Sequence, residues 1–185
     1  LAEIYEQRVV LFGTGLFLQV ADRSDGTKRS IYGIRDNPAA TSTLTNVKTS
    51  GNLKQQTLVT SGSSRTISPS SVAVDWTTDY GWFLELLDTG ERVNVDPKLQ
   101  LGTFIVASNV PDNTNANSCT TGGYSWLNFL DITTGGAINN SQSNPDDLAS
   151  TKIGNALAVG VNAVKLPNGK LITITTTSDN KHRSE

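Results

Sequence analysis

Methionine is absent from these 185 residues, cysteine and histidine occur once each, and charged residues make up only 17%. Each scarcity excludes something. The lone Cys119 cannot close an internal disulfide or build a cysteine-based zinc site, so it reads as a packed thiol or one whose partner lies elsewhere. His182, the one histidine, sits in a polar stretch, which leaves no Cys-His or Ser-His-Asp set to assemble. A formal net charge of -2 offers no field for holding nucleic acid or anionic lipid. No apolar run approaches bilayer-spanning length, and there is no basic-then-apolar start. The missing methionine extends to position 1, as expected of a processed or excised piece of a longer polypeptide.

Thr, Ser, Asn and Gly do the solubilising in place of Lys and Glu, a bias common in secreted β proteins. The stretch 81–136 organises the rest. It reads as four short strands, 82–86, 91–95, 102–109 and 124–131, forming one blade. Asp88-Thr89-Gly90 supplies the first turn and Asp131 to Gly136 closes the last.

Upstream, Val9-Val10-Leu11-Phe12 is an unbroken apolar run suited to a strand buried on both faces, broken by Gly13-Thr14-Gly15. That Gly-Thr-Gly lacks the longer loop and lysine of a phosphate cradle, so it is a tight turn, with 16–20 as a short strand after it. Strands are expected at 29–35, at 55–60 and 65–67 as a hairpin, and at 71–76. Asn168-Gly169 joins 153–165 to 171–177 as another hairpin. Irregular polar loops fill 36–50, 109–123 and 136–150. The total, ten to twelve strands, makes an all-β chain of about three four-stranded antiparallel blades, fewer than a closed propeller's four to eight. The domain is expected to run 1–177, with 178–185 as a polar tail.

Several ordered motifs carry a resemblance. Phe12-Gly13-Thr14-Gly15, Leu18, Asp22 and Tyr32-Gly33-Ile34 with Asp36 form one block. Gly81-Trp82, Thr89-Gly90-Glu91-Arg92-Val93, Pro97 with Leu99 and Leu101-Gly102, Cys119, Gly122-Gly123, Ser125-Trp126-Leu127 and Leu130-Asp131 with Thr134-Gly135 form the second. In this order they resemble the C-terminal β-propeller of the PilC/PilY family of type IV pilus assembly factors and tip-associated adhesins. The chain departs from the family at Lys28-Arg29, where glutamine is common. The resemblance implies a partial propeller and a non-catalytic role in pilus extension and attachment. It places the protein at the bacterial outer membrane, pilus tip or extracellular surface after export through the periplasm. The partners it implies are the remaining blades or another copy, the pilus machinery or pilins, and a host-cell surface. Calcium is expected in the intact family protein, through an aspartate-rich loop preceding the Gly-Thr-Gly block; no cofactor is expected in this stretch.

Candidate sites weigh against bland readings. Asp112, Asn113, Asn115 and Asn117 could offer oxygens to calcium but lack the several carboxylates it favours, so Asx turns in a solvated loop are preferred. Glu85, Asp88 and Glu91 cluster in sequence, as the paired carboxylates of a glycosidase do in space, yet Asp88 suffices as a turn residue and Glu91 with Arg92 reads as a surface pair. Trp76, Trp82 and Trp126 lie in apolar patterns and read as core. Gly13, Gly15, Gly81, Trp82, Gly90, Gly122, Gly123, Trp126 and Asp131 are structural. Recognition is assigned to the loops around Asn37, Asn113 and Asn140, since propeller loops carry variable contacts. Asn139-Asn140-Ser141 fits a sequon only in a eukaryotic source. No Arg-Gly-Asp occurs. The alternative function is a blade set of a quinoprotein (PQQ) dehydrogenase, although only one Leu-Asp-x-x-Thr-Gly ending is present, at 130–135.

Overall fold

The computed structural model describes residues 1–36, 46–112, 122–138, 148–168 and 171–184. Among them no α-helix occurs; one 3-10 turn, Val20–Ser24, interrupts fourteen strands. These are β1 (Ala2–Ile4), β2 (Gln7–Gly13), β3 (Ser30–Arg35), β4 (Leu53–Gln56), β5 (Leu58–Ser61), β6 (Ser64–Ile67) and β7 (Gly81–Glu85). There follow β8 (Lys98–Gln100), β9 (Thr103–Pro111), β10 (Gly123–Asp131), β11 (Leu148–Lys152), β12 (Ala158–Lys165), β13 (Leu171–Thr177) and β14 (His182–Ser184). They make three sheets, in the orders β1-β2-β3-β7-β4, β5-β6-β11-β10-β9-β8 and β12-β13-β14. The chain is thus all-β with three sheets, as expected, though strands are shared out five, six and three rather than four each. All pairs are antiparallel except β4 with β7.

Two cores join the three sheets, and alternation in the middle one explains both. Phe104, Val106 and Leu130 face the first sheet, where Val9, Leu11, Ile31, Trp82 and Leu84 meet them. Ile105, Ala107 and Leu127 face the other way, against Ile153, Ala158 and Val161 of the third. Successive side chains of a strand point to opposite faces, so β9, covered on both, is buried from Thr103 to Val110. Burying each large apolar side chain contributes about 1.5–3 kcal/mol.

Several sequence expectations are corrected. The stretch 81–136 is not one blade: β7 pairs with β3 and β4 in the first sheet, whereas β9 and β10 belong to the second. The break comes at the turn after Leu86, and 91–95 contributes only an isolated Arg92–Asn109 bridge. The run Val9 to Phe12 is covered on one face only; Val10 and Phe12 remain 41% and 37% exposed. Residues 16–20 and 71–76 form no strand. The polar tail 178–185 is not a tail through 184. Thr177 Oγ1 donates to Asp179 and to the Lys181 carbonyl, reversing the chain so that β14 adds to β13. The expected strand 55–60 is split at Thr57, its first part going to β4 beside β7 and 58–61 to β5; the β5–β6 hairpin turns at Gly62-Ser63, and β12–β13 pair with Lys165 opposite Leu171, as the sequence predicts.

Candidate functional site

The Asp88-Thr89-Gly90 turn delivers Glu91 into the interior, at 1% exposure, rather than to the surface with Arg92. Arg65, fully buried on β6, grips the Glu91 carboxylate with two parallel bonds of 2.8 and 3.0 Å. Ser108 donates to Glu91 Oε1 at 2.5 Å and the Asp88 amide to Oε2 at 3.0 Å. Asp88 is more than a turn residue: its Oδ2 accepts from Arg65 at 2.9 Å, from the Tyr124 hydroxyl at 2.9 Å and from Trp126 Nε1 at 2.8 Å. The Arg65 guanidinium lies 3.9 Å from the Trp126 ring centroid. Burial, then Asp88, push the Tyr124 phenol up to about 12. From Ser108 the network continues through Asn128 to Ser150. Every glutamate oxygen is satisfied, and no substrate-facing carboxylate pair remains at this cluster, which is the arrangement of a polar core.

Arg92, next in sequence, points the opposite way. It is 1% exposed, and it donates to the carbonyls of Leu16 (2.8 Å), Asp22 (2.6 Å), Asp25 (2.7 Å) and Gly90 (2.8 Å). One side chain thus holds the irregular crossing from β2 to β3. Asp22 closes the same loop by accepting the Leu18 and Gln19 amides, which hold its carboxyl below the ordinary range. Asp25 accepts from the hydroxyl and amide of Thr27 and from Arg29, and its pKa falls to about 2.

Beside this crossing lies a cleft of about 520 Å³ bounded by the Thr89-Gly90 turn, the facing ends of β9 and β10 and the connection before β12, lined by Arg23, Asp25, Gly90, Asp112, Tyr124 and Asn155 among others. Arg23 donates to the Asp112 carbonyl at 3.1 Å. The lining mixes polar and apolar surface and carries charges of both signs.

The structural residues predicted from sequence fall into close contacts. A β-carbon on Gly13 or Gly15 would sit within 2.7 Å of Val93, and one on Gly81, at φ 128°, would lie 2.0 Å from the Gly33 carbonyl. One on Gly123, at φ 139°, would lie 2.4 Å from the Val110 carbonyl. Gly90 turns beneath Arg92, and Gly122 accepts the Asp112 amide. Trp82 and Trp126 are core residues, Trp82 Nε1 donating to Ile132. Asp131 accepts from the Thr133 amide and hydroxyl and from Thr134.

Of the proposed calcium loop, only Asp112 is described; Asn113, Asn115 and Asn117 lie outside the described residues, as do Asn37, Asn140 and Cys119. Among the described residues no group of three His, Cys, Asp or Glu could hold a metal ion, and no helix is long and apolar enough to cross a membrane. Sequence reasoning missed Arg65, Ser108, Asn109 and Asn128. A faint signal existed in Ser108-Asn109 of β9 and in Ser125 and Asn128 of β10, uncharged polar residues set inside otherwise apolar strands.

No family model matches the chain. The type IV pilus biogenesis factor PilY1 of Pseudomonas aeruginosa is 31% identical over 150 residues, 69% of this chain and 13% of the relative. The PilY1 homolog of Xylella fastidiosa is 25% identical over 158 residues, covering 80% of this chain and 10% of its own length. The chain therefore spans about a tenth of the length of these relatives. The crystal structure of the P. aeruginosa PilY1 C-terminal domain superposes with a TM-score of 0.63 over 96% of this chain and 41% of that one, at 21% identity, a likeness of fold. The ordered motifs and the 31% identity across most of the chain place it in the PilC/PilY family of type IV pilus biogenesis factors, with the fold of part of that family's C-terminal β-propeller.

Proposed function

We propose that this segment is a non-catalytic part of a longer polypeptide that supports type IV pilus extension and attachment to surfaces or host cells. The observation that carries the reading is the 31% identity over 150 residues to a pilus biogenesis factor. The internal chemistry agrees with a scaffold, because the buried ionisable groups are used up in holding turns and sheets. The outer faces agree with packing into a larger ring: Val10 and Phe12 are exposed on the first sheet, Val159, Val164 and Ile174 on the third. Further sheets of the same polypeptide are the occupants we assign to them, with another copy as the alternative. Pilus machinery or pilins, and a host-cell surface, are the partners this reading names. Calcium, if used, is bound elsewhere in the longer protein. The site of action is the outer membrane, pilus tip or extracellular surface.

The test is genetic complementation in a piliated bacterium lacking its own factor of this type. The longer protein is expected to restore surface pili, counted by electron microscopy, and cell attachment; the same protein lacking this segment is expected to restore neither. Normal piliation and attachment without the segment would sink the proposal. Dye-linked alcohol oxidation with a quinone absorbance in the purified protein would favour the dehydrogenase alternative instead.

A further inference from the structure

Away from the cleft described above, a second cleft of about 400 Å³ opens between the β1–β2 turn, the segment 74–77 and the turn after β10. Its volume is in the range of small-molecule sites. Tyr5 stands at its rim, 76% exposed. The turn that carries it has two residues, Tyr5 and Glu6, at φ 48° and 64°, between the paired Ile4 and Gln7. Such a turn is built most cheaply from Asn-Gly or Asp-Gly, so a tyrosine here accepts left-handed backbone while leaving its ring unpacked. An aromatic ring held out at the edge of a cavity by a strained turn needs a reason that folding does not give.

The walls say what the ring faces. Trp76 lies against the floor, 5% exposed, its Nε1 fixed on the Thr133 carbonyl at 2.8 Å. Gln7 is oriented by its bond to the Trp76 carbonyl and by Arg35, which stands behind the wall with NH1 directed at Gln7 Oε1 (3.3 Å) and Trp76 O (3.0 Å). Asp75 and Thr77 form the opposite side, with Thr134. The Asp75 carboxylate uses Oδ1 on the Thr77 amide and hydroxyl, which hold its pKa below the ordinary value. Neither lysine, arginine nor histidine lines the cleft among the described residues. A flat aromatic face, fixed carboxamide and hydroxyl groups, and one ionised carboxylate, with the Arg35 charge already spent on Gln7 and Trp76 behind the wall, complement a ring with one C–H face and a hydroxylated edge better than they do an anion.

We propose that this cleft binds a neutral pyranose sugar, with Tyr5 stacked on the sugar's C–H face and Asp75 accepting from its hydroxyls. The site stands independently of which pilus step the protein serves. The experiment is saturation-transfer NMR and titration of the full-length protein with methyl glucoside, methyl galactoside, N-acetylglucosamine and lactose, with glucuronate and N-acetylneuraminate as acidic controls. A neutral sugar is expected to bind, and the acids are not. Tyr5→Asn, which suits the turn, is expected to keep or raise the melting temperature while weakening binding about tenfold or more; Asp75→Asn is expected to weaken it as well. Binding by no neutral sugar, equal binding of the acids, or unchanged binding in a folded Tyr5→Asn protein would each overturn the proposal.

Discussion

Trp82 lies so close to Gly135 that a β-carbon there would sit 2.3 Å from the indole, and Gly33, on the neighbouring strand, would place one 2.5 Å away. The fully buried indole is thus clamped between two bare backbones, with Nε1 held by the Ile132 carbonyl at 2.9 Å. Gly33→Ala tests the steric part alone and is expected to destabilise by about 1–3 kcal/mol, as overpacking does. Gly135→Ala adds the penalty of φ 69° and is expected to cost roughly 1 kcal/mol more. Chemical denaturation measures both. In a Trp82→Leu background the cost of Gly33→Ala should shrink, and an unchanged cost would mean that the indole is not the obstacle.

The Arg65–Glu91 pair is expected to be costly to break from either side. Glu91→Ala strips a buried guanidinium of its bidentate partner and leaves it only the part-exposed Asp88, a loss toward the lower end of about 3–5 kcal/mol. Replacing both partners with apolar residues of similar volume should cost less than either single change, because no buried charge is then stranded. Urea midpoints for the two single variants and the double variant decide it. An additive double variant would show that the two residues act separately.

What the sequence disclosed and what it hid follow from how far each interaction reaches along the chain. Tight turns are local, so the Gly62-Ser63 turn, the Asp131 turn and the pairing of β12 with β13 were legible, as was the all-β class. Strand partnership is not local. The residues 81–85 look continuous with 103–111, yet the former complete the first sheet and the latter the second, because Trp82 needs Gly33 and Gly135 beside it. Glu91 and Arg92 looked like a surface pair since charge adjacent in sequence is normally solvated; their partners, Arg65 and the Leu16 and Asp22 carbonyls, lie 26, 76 and 70 residues away. The Asp-x-Thr turn at Asp131 recurs at Asp25-Gly26-Thr27 and Asp75-Trp76-Thr77, an internal repeat too short to stand out without the shared hydrogen bonds.

These turns set an acid limit. Asp25 has a folded pKa of about 2 against an ordinary 3.8, chiefly through the Thr27 hydroxyl and amide, then Arg29. The folded state therefore binds the proton less readily than the unfolded chain. The stabilisation is full above the ordinary value and is lost as pH falls through about 2. Asp25→Asn is expected to flatten the dependence of the urea midpoint between pH 4 and 2. At the other end Tyr124, raised to about 12, favours the folded state while neutral, so stability should decline from pH 10 to 12. Tyr124→Phe should remove that decline, and an ultraviolet titration should lose its latest tyrosinate component.

Arg92 gives the most local test, because its four carbonyl acceptors all belong to backbone around one crossing. Burial lowers its pKa while Asp25 opposes, and because a guanidinium stays charged, its donors must find acceptors inside the fold. Lysine is a point donor on a flexible stem and cannot span carbonyls that a planar fork reaches together. Arg92→Lys should therefore free 16–25 while leaving the two cores intact, since those depend on Trp82, Val106 and Leu127 rather than on this loop. Hydrogen exchange is the measurement: the Leu18 and Gln19 amides, bonded to Asp22 in the wild type, should lose protection by about tenfold or more, with β9 and β10 unchanged. Protection lost equally from β9 would make Arg92 part of the global core. Protection retained at Leu18 would mean that Asp22 alone holds the crossing and that the arginine is redundant there.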